Sequence, residues 1–478
     1  MMQADVSLSA PLVRELSPPP HTEDVFLRLC GKPHCLFLDS AMRHPTLGRY
    51  SFVAADPFDY LELPADAGDG LGPWAARWTP FQSPTLPNLP PFQGGAAGLL
   101  GYELGRSLEK LPATRFDEFG MPTLALGLYD VVIAFDHQTG RAWIVSQGWP
   151  EVDPLRRRQR AAARLEEFAQ LVASPAPRID APFPKPARPA LSADQLAPQY
   201  PLEGVPGLTS NFSRAEYLRT VRRVIDYIVA GDVFQVNLAQ RLLCPARDRS
   251  PTLYLRLRQQ NPAPFAGYFD LDEFQVVSAS PERFLQVREG HVETRPIKGT
   301  RRRGEPHDDR LLAEELRGSE KDRAENVMIV DLLRNDLSRV CRPESVRVSR
   351  LCDVETYPHL LHLVSTVRGQ LRGDCGPLDL VRAAFPGGSV TGAPKVRAME
   401  IIAELEPTAR GAYCGSLGYL GFDGTMDLSI LIRTVTAGRG WWQAAVGGGI
   451  IAPSIPEQEY QETLDKAEGL LHAMKDEG

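Results

Sequence analysis

Between residues 174 and 207 the chain carries nine prolines, at 175, 177, 182, 184, 186, 189, 198, 201 and 206, and no sustained periodicity. Proline fixes φ and removes a backbone donor, so at that density helices and ladder pairing are blocked. The stretch reads as a stiff linker or a surface excursion, and it divides the chain into regions 1–173 and 208–478. A chain of 478 residues buries enough surface to be stable without a metal or a disulfide. Its seven cysteines are scattered and form no CxxC pair, so neither a zinc cage nor a disulfide framework is indicated.

On both sides of the break, helical and strand-like patterns mix. Ala162, Leu165, Phe168, Ala169 and Val172 predict a helix over 156–172, and short strand-like runs precede it at 124–135 and 142–146. After the break, Ser213 and Glu216 form a capping box. Val221, Val224, Ile225 and Ile228 continue one helical face, and Gly231 supplies the stop. A strand is expected at 232–243, a strand pair within 275–294, and helices at 321–339 and 395–405. Further strands are expected near 415–419, 427–436 and 441–446, before a closing helix over 456–474. Helices mixed with paired strands define an α+β architecture.

The charge balance, 53 basic against 60 acidic residues, excludes a general binder of nucleic acid or membrane surface, which needs a basic footprint. Arg301, Arg302 and Arg303 form a tight basic run, diluted by acidic neighbours over 305–309, and read as locally solvated or structural. No apolar run approaches the ~18 residues of a membrane span, and the first residues lack a basic flank and apolar core, so a reduced, cytoplasmic setting is expected.

Several residues are candidates for chemistry. Glu459, Glu462 and Lys466 share one face of the closing helix, where a solvated Glu462–Lys466 pair is the plain alternative. Asp322 and Glu325 open a helix whose continuation is strongly apolar. Two enclosed carboxylates from different helices form the sparse oxygen set that holds Mg²⁺ together with substrate oxygens. Gly447, Gly448 and Gly449 expose amides that suit a carboxylate, although such a run is more often a bulge. The segment 385–395 lacks the Gly-Lys-Ser/Thr of a phosphate loop, so nucleotide hydrolysis is not indicated. Cys414 reads as a buried structural thiol, and His362 as a core histidine. Lys298, between apolar and glycine neighbours, could be a desolvated amine nucleophile, and Glu282, after Pro281 at a strand end, a positioned acid or base.

Ser280-Pro281-Glu282-Arg283, Pro296-Ile297-Lys298-Gly299-Thr300, Asp322-Arg323-Ala324-Glu325-Asn326 and Asp331-Leu332-Leu333-Arg334-Asn335-Asp336 resemble the family of chorismate-utilising enzymes. So do the segments 385–395 and 447–450, and Glu459-Tyr460-Gln461-Glu462-Thr463. The likeness runs in order through about residues 210–478 and is highly specific; residues 1–173 resemble more loosely the N-terminal region of anthranilate synthase component I. Anthranilate synthase large subunits usually carry alanine where this chain has Lys298.

The resemblance implies a fold of two orthogonally packed antiparallel β-sheets with helices on the outside, interleaving both halves of the chain. It implies that Lys298 attacks C2 of chorismate as the C4 hydroxyl leaves, and that ammonia then adds at C4, on the way to 4-aminobenzoate and folate. Glu282 would be the general acid/base. Glu325 and Glu462 would ligate Mg²⁺, with Asp322 and Glu459 as outer support. Arg433, Lys466 and the amides of Gly447, Gly448 and Gly449 would bind carboxylates, with His362, Thr300, Ser389 and Tyr419 lining the pocket. Ser40, in Leu38-Asp39-Ser40, sits where relatives contact tryptophan. The implied partner is a glutamine amidotransferase subunit that delivers ammonia, since the chain shows no glutaminase motif. Two other readings are an anthranilate-forming enzyme and a non-catalytic subunit that only binds chorismate or tryptophan.

Overall fold

The structure is a computed structural model and describes residues 10–43, 47–175, 190–303, 308–357 and 360–475. Of the proline-dense stretch, residues 176–189 lie outside that description. Two antiparallel sheets of 13 and 10 strands carry the fold.

The first sheet runs Leu12–Leu16, Arg141–Ser146, Val131–Asp136, Tyr50–Ala54, Leu36–Asp39, Phe265–Asp270, Phe274–Ser280, Thr434–Gly438, Trp441–Ile450, Gln235–Pro245, Thr209–Ser210 and Tyr200–Pro201. The second runs Ile297–Arg302, Leu360–Gln370, His291–Thr294, Arg283–Arg288, Met426–Ile430, Ser416–Gly421, Gly95–Leu100, Leu124–Tyr129 and Asp59–Leu63. Each sheet therefore joins the two sides of the proline-rich break at a single seam. In the first, Leu36–Asp39 pairs with Phe265–Asp270; in the second, Gly95–Leu100 pairs with Ser416–Gly421. Regions 1–173 and 208–478 form one interleaved body.

Leu36, Phe52, Phe269 and Val276 of the first sheet meet Ala97, Leu99, Leu417 and Tyr419 of the second in a shared apolar layer. On the far side of the first sheet, the helices Thr22–Leu29, Pro154–Ala173, Ser250–Gln260 and Pro456–Met474 bury Phe26, Phe168, Tyr254 and Leu470. On the far side of the second, Glu320–Ser338, Pro377–Ala384 and Lys395–Leu405 bury Ile329, Leu380 and Ile401. The order is helices, sheet, sheet, helices, an α+β fold.

Several boundaries differ from the sequence reading. The run 124–135 is two strands broken at Asp130, whose buried carboxylate faces Arg160 and Arg164. The run 427–436 is also two strands, and they lie in different sheets: the chain turns the corner over Leu431–Arg433. Part of the supposed linker is also not an excursion. Leu191, Ala197 and Leu202 are buried, and Tyr200–Pro201 pairs with Thr209–Ser210 at a sheet edge, where proline's missing donor costs nothing.

The helix Arg214–Val229 begins as expected: Glu216 N donates to Ser213 Oγ at 3.2 Å, and Ser213 N donates to Glu216 Oε2 at 3.1 Å. Ser213→Ala removes one of these reciprocal bonds and is expected to lower unfolding free energy by about 1 kcal/mol. A denaturant midpoint that does not move, at unchanged slope, would contradict it.

Candidate active site

Lys298 lies on the edge strand Ile297–Arg302, which pairs with Leu360–Gln370 through a register shift between Ile297 and Thr300. The irregularity takes Lys298 and Gly299 out of the ladder and re-aims the lysine. Gly299 has φ +81°, and a Cβ there would meet Leu316 Cδ1 at 2.9 Å and Asp322 Cβ at 3.0 Å, so only glycine fits. Lys298 Nζ donates to the carbonyl oxygen of Ser389 at 3.2 Å. Burial pulls the amine below the ordinary lysine range, and the charge of Lys466 adds to this; Glu325, Glu282 and Glu462 oppose it.

Ser389 also donates its hydroxyl to Glu282 Oε1 at 2.8 Å. Glu282 is only 4% exposed. Burial pushes its carboxyl up to about 7, against the Ser389 hydrogen bond and the positive charge of Lys298. A carboxyl poised near neutrality beside an amine of lowered basicity is the pairing that acid/base-assisted nucleophilic chemistry needs.

His362 is buried and shares a hydrogen bond of 2.9 Å between its Nδ1 and Thr300 Oγ1. Burial, and then the charge of Arg433, lower its pKa to about 3. Its imidazole is thus held neutral and fixed against Thr300 in the wall of the site. Arg433 has φ +50° and stands at the corner where the chain leaves the second sheet for the first. That strained corner brings its guanidinium to His362.

The acidic residues come from two helices. Glu325 lies on Glu320–Ser338, and Glu459 and Glu462 on Pro456–Met474. Glu459 accepts from Ser454 Oγ at 2.7 Å and lies 3.8 Å from Lys321 Nζ. Glu462 pairs with Lys466 at 2.7 Å, and Lys466 Nζ also donates to the Gly447 carbonyl at 3.0 Å. Burial raises Glu325, with Glu462 among the charges adding to it, and burial raises Glu459, where Glu462 adds as well. Burial also acts on Glu462, but Lys466 holds it below the usual range. Asp322 faces Arg301 at 3.3 Å and packs against Gly299, so it supports the lysine-bearing strand.

Among the described residues, no three His, Cys, Asp or Glu side chains are grouped as a metal cage. Crowded carboxylates on two helices fit instead a hard divalent cation that keeps most of its oxygen ligands from water or substrate. The glycine run lies within the strand Trp441–Ile450, paired with Gln235–Pro245. On its other side the pairing with Thr434–Gly438 stops at Ala444, so that edge is open at the glycines. A Cβ on Gly448 would sit 3.3 Å from Glu459 Oε2 and 3.6 Å from Glu462 Oε1, so the missing side chain makes room for the acidic group.

Of the residues expected in the wall of the site, Tyr419 lies elsewhere. Tyr419 and Ser40 line a separate cavity of about 290 Å³ with Tyr50, Phe52, Arg283 and Asp427. Side chains alternate along a strand, and Tyr419 falls on the face of Ser416–Gly421 that packs against Phe52 and Phe92, away from Lys298. Glu282 and Arg283 show the same alternation: Glu282 faces Ser389, while Arg283 pairs with Asp427 at 3.0 Å in the cavity wall. Sequence reading missed Arg283 and Asp427, as well as Gln235, Asn237, Glu406 and Arg410 behind the site. Polar residues at 235, 237 and 240 within an apolar strand were the available signal. Cys414 is buried with its thiol pushed up to about 12, which fits a structural role. No described helix is long and apolar enough to cross a membrane.

Two antiparallel sheets with a lysine and a set of carboxylates at one edge define a class, and the comparison with known families agrees. The chain belongs to the chorismate binding enzymes, whose family profile matches residues 59–472. It is 46% identical over 473 residues to aminodeoxychorismate synthase component 1 of Klebsiella aerogenes, covering 96% of this chain and 97% of that one. It is 44% identical over 390 residues to anthranilate synthase component 1 of Thermus thermophilus, covering 81% and 79%. Among solved structures it resembles anthranilate synthase component I of Streptococcus pneumoniae, with a TM-score of 0.75 at 30% identity over 90% and 93% of the two chains.

Proposed function

We propose that the protein works as aminodeoxychorismate synthase component 1, converting chorismate and ammonia to 4-amino-4-deoxychorismate and water. The observation that carries this reading is the placement of Lys298 and Glu282 on the two polar atoms of Ser389, at 3.2 Å and 2.8 Å. Lys298, its basicity lowered by burial, attacks C2 of chorismate. Glu282, near 7, donates a proton to the departing C4 hydroxyl, so that water leaves. Ammonia then adds at C4 and the C2–nitrogen bond to Lys298 breaks, which regenerates the amine. Arg433 and Lys466 supply positive charge for the substrate carboxylates, and Thr300 and His362 shape the wall. Glu325 and Glu462, backed by Glu459, would hold Mg²⁺. When bound, the ion neutralises a substrate carboxylate and fixes the ring.

Incubation of the purified chain with chorismate, Mg²⁺ and ammonium is expected to give 4-amino-4-deoxychorismate. Anthranilate and pyruvate as the products would refute the reading. Because the attacking species is free ammonia, the partner is proposed to be a glutamine amidotransferase subunit. The chain alone should then use ammonium but not glutamine, and adding that subunit should restore glutamine-dependent turnover. The cavity beside Ser40 combines aromatic walls with Arg283 and Asp427, and is proposed as a tryptophan site.

A further inference from the structure

Ser389 can hold Lys298 and Glu282 together only if the turn Gly388–Val390 is itself held; the Thr391 hydroxyl closes it from within, donating to the Gly387 carbonyl at 3.1 Å, and Arg410 braces it from behind. Arg410 is buried, with 2% of its side chain exposed. Its Nε and Nη2 grip both oxygens of Glu406, at 2.8 Å and 2.6 Å. Its Nη1 donates to the carbonyl of Val390 at 3.1 Å, and Nη2 donates also to the carbonyl of Asn237 at 2.7 Å. The guanidinium lies over the rings of Tyr102 and Tyr413. Glu406 in turn accepts from the Ala239 amide at 2.8 Å, and the Asn237 amide donates to the Thr391 carbonyl at 2.8 Å. The ion pair thus ties the strand Gln235–Pro245 to Val390, and the strand's own Asn237 amide ties it to Thr391.

A buried ion pair is commonly read as core cement, and by itself it adds little net stability over an apolar replacement. The use of the donors decides against that reading here. Two bonds satisfy Glu406, and the other two go to main-chain carbonyls, one of them on the residue next to Ser389. A planar fork can serve a carboxylate and two carbonyls at once, whereas a lysine ammonium is a point donor.

We infer that Arg410 is a positioning residue, which fixes the Gly388–Val390 turn so that the Ser389 carbonyl and hydroxyl meet Lys298 and Glu282 simultaneously. The inference rests on the proposed roles of Lys298 and Glu282. Its test compares Arg410→Lys, Ser389→Ala and the double variant for turnover with chorismate and ammonium, chorismate binding, and Tm. Arg410→Lys keeps the charge beside Glu406 but cannot reach both carbonyls. Its kcat should fall about tenfold or more, with chorismate affinity within roughly threefold of wild type. Ser389→Ala removes only the hydroxyl contact with Glu282, one of the two that Arg410→Lys loosens, so the double variant should be within roughly threefold of the worse single variant. Multiplicative losses, or a lowered Tm with kcat within about twofold of wild type, would overturn the inference. Should Arg410→Lys not fold, Glu406→Gln with Arg410→Gln removes both charges together and is judged by the same ratios. An unexpected product from the wild-type chain would instead count against the proposed reaction, since the ratios can be measured on whichever product forms.

Discussion

Alanine in place of Lys298 is expected to abolish formation of 4-amino-4-deoxychorismate, with a fall of about 10³-fold or more, the scale on which loss of a covalent nucleophile is felt. The lysine reaches the site through an irregularity in an edge strand and a glycine that tolerates no Cβ. Alanine removes the amine without disturbing the ladder. The fold should not suffer, because burying an amine disfavours its charged form, and alanine has no charge to bury. The sign can be followed with pH. A lysine whose pKa is lowered on folding destabilises the native state where the unfolded chain keeps the proton. This cost is largest below the folded pKa and fades as pH rises toward the unfolded value near 10.4. Unfolding free energy of the wild type should therefore gain on that of Lys298→Ala as pH rises through this window. Mass spectrometry of trapped enzyme should show a chorismate-derived adduct in the wild type and none in the variant. An adduct and turnover that survive the substitution would remove the covalent role.

Loss of a carboxylate from either helix should be nearly as severe. Glu325→Ala and Glu462→Ala are each expected to raise the Mg²⁺ concentration for half-maximal turnover by about 100-fold or more, since even groups that only orient a ligand cost 10–100-fold when removed. Glu459→Ala should cost less, because Glu459 is held by Ser454 and bears on Glu462 mainly through its charge. Calorimetric titration of Mg²⁺ in the presence of chorismate gives a second readout that does not depend on turnover. Tm should change little: Glu325→Ala relieves repulsion between neighbouring carboxylates, and Glu462→Ala loses a half-exposed pair with Lys466 worth about 0–1 kcal/mol. If both variants keep the Mg²⁺ dependence of the wild type, these two residues are not its ligands.

What was legible in the sequence followed from local physics. The closing helix was read to its ends because Pro456 starts it and its periodicity is unbroken to Met474. Lys298, Glu282, Glu325 and Glu462 were open candidates on local grounds, and their expected roles came from the resemblance of their motifs to the chorismate-utilising family. The run 427–436 was misread because its apolar residues continue through the corner, and nothing local marks Arg433 as left-handed. Tyr419 was placed in the wrong pocket because which face of a strand looks at the site depends on sheet order, a long-range property. Arg410 gave no signal for the same reason. Its partners come from Glu406, Val390 and Asn237, and only the folded chain brings them together.

The seams between the two sheets also set a timetable for synthesis. The edge of Gly95–Leu100 is completed by Ser416–Gly421, made roughly 300 residues later. At ribosomal rates of about 5–20 residues per second, that edge waits on the order of 15–60 s for its neighbour. Throughout that interval the nascent chain displays unpaired main-chain groups and the apolar faces of Ala97 and Leu99. The second sheet can close only once residue 421 has been made, which leaves the growing polypeptide open to wrong pairing until then.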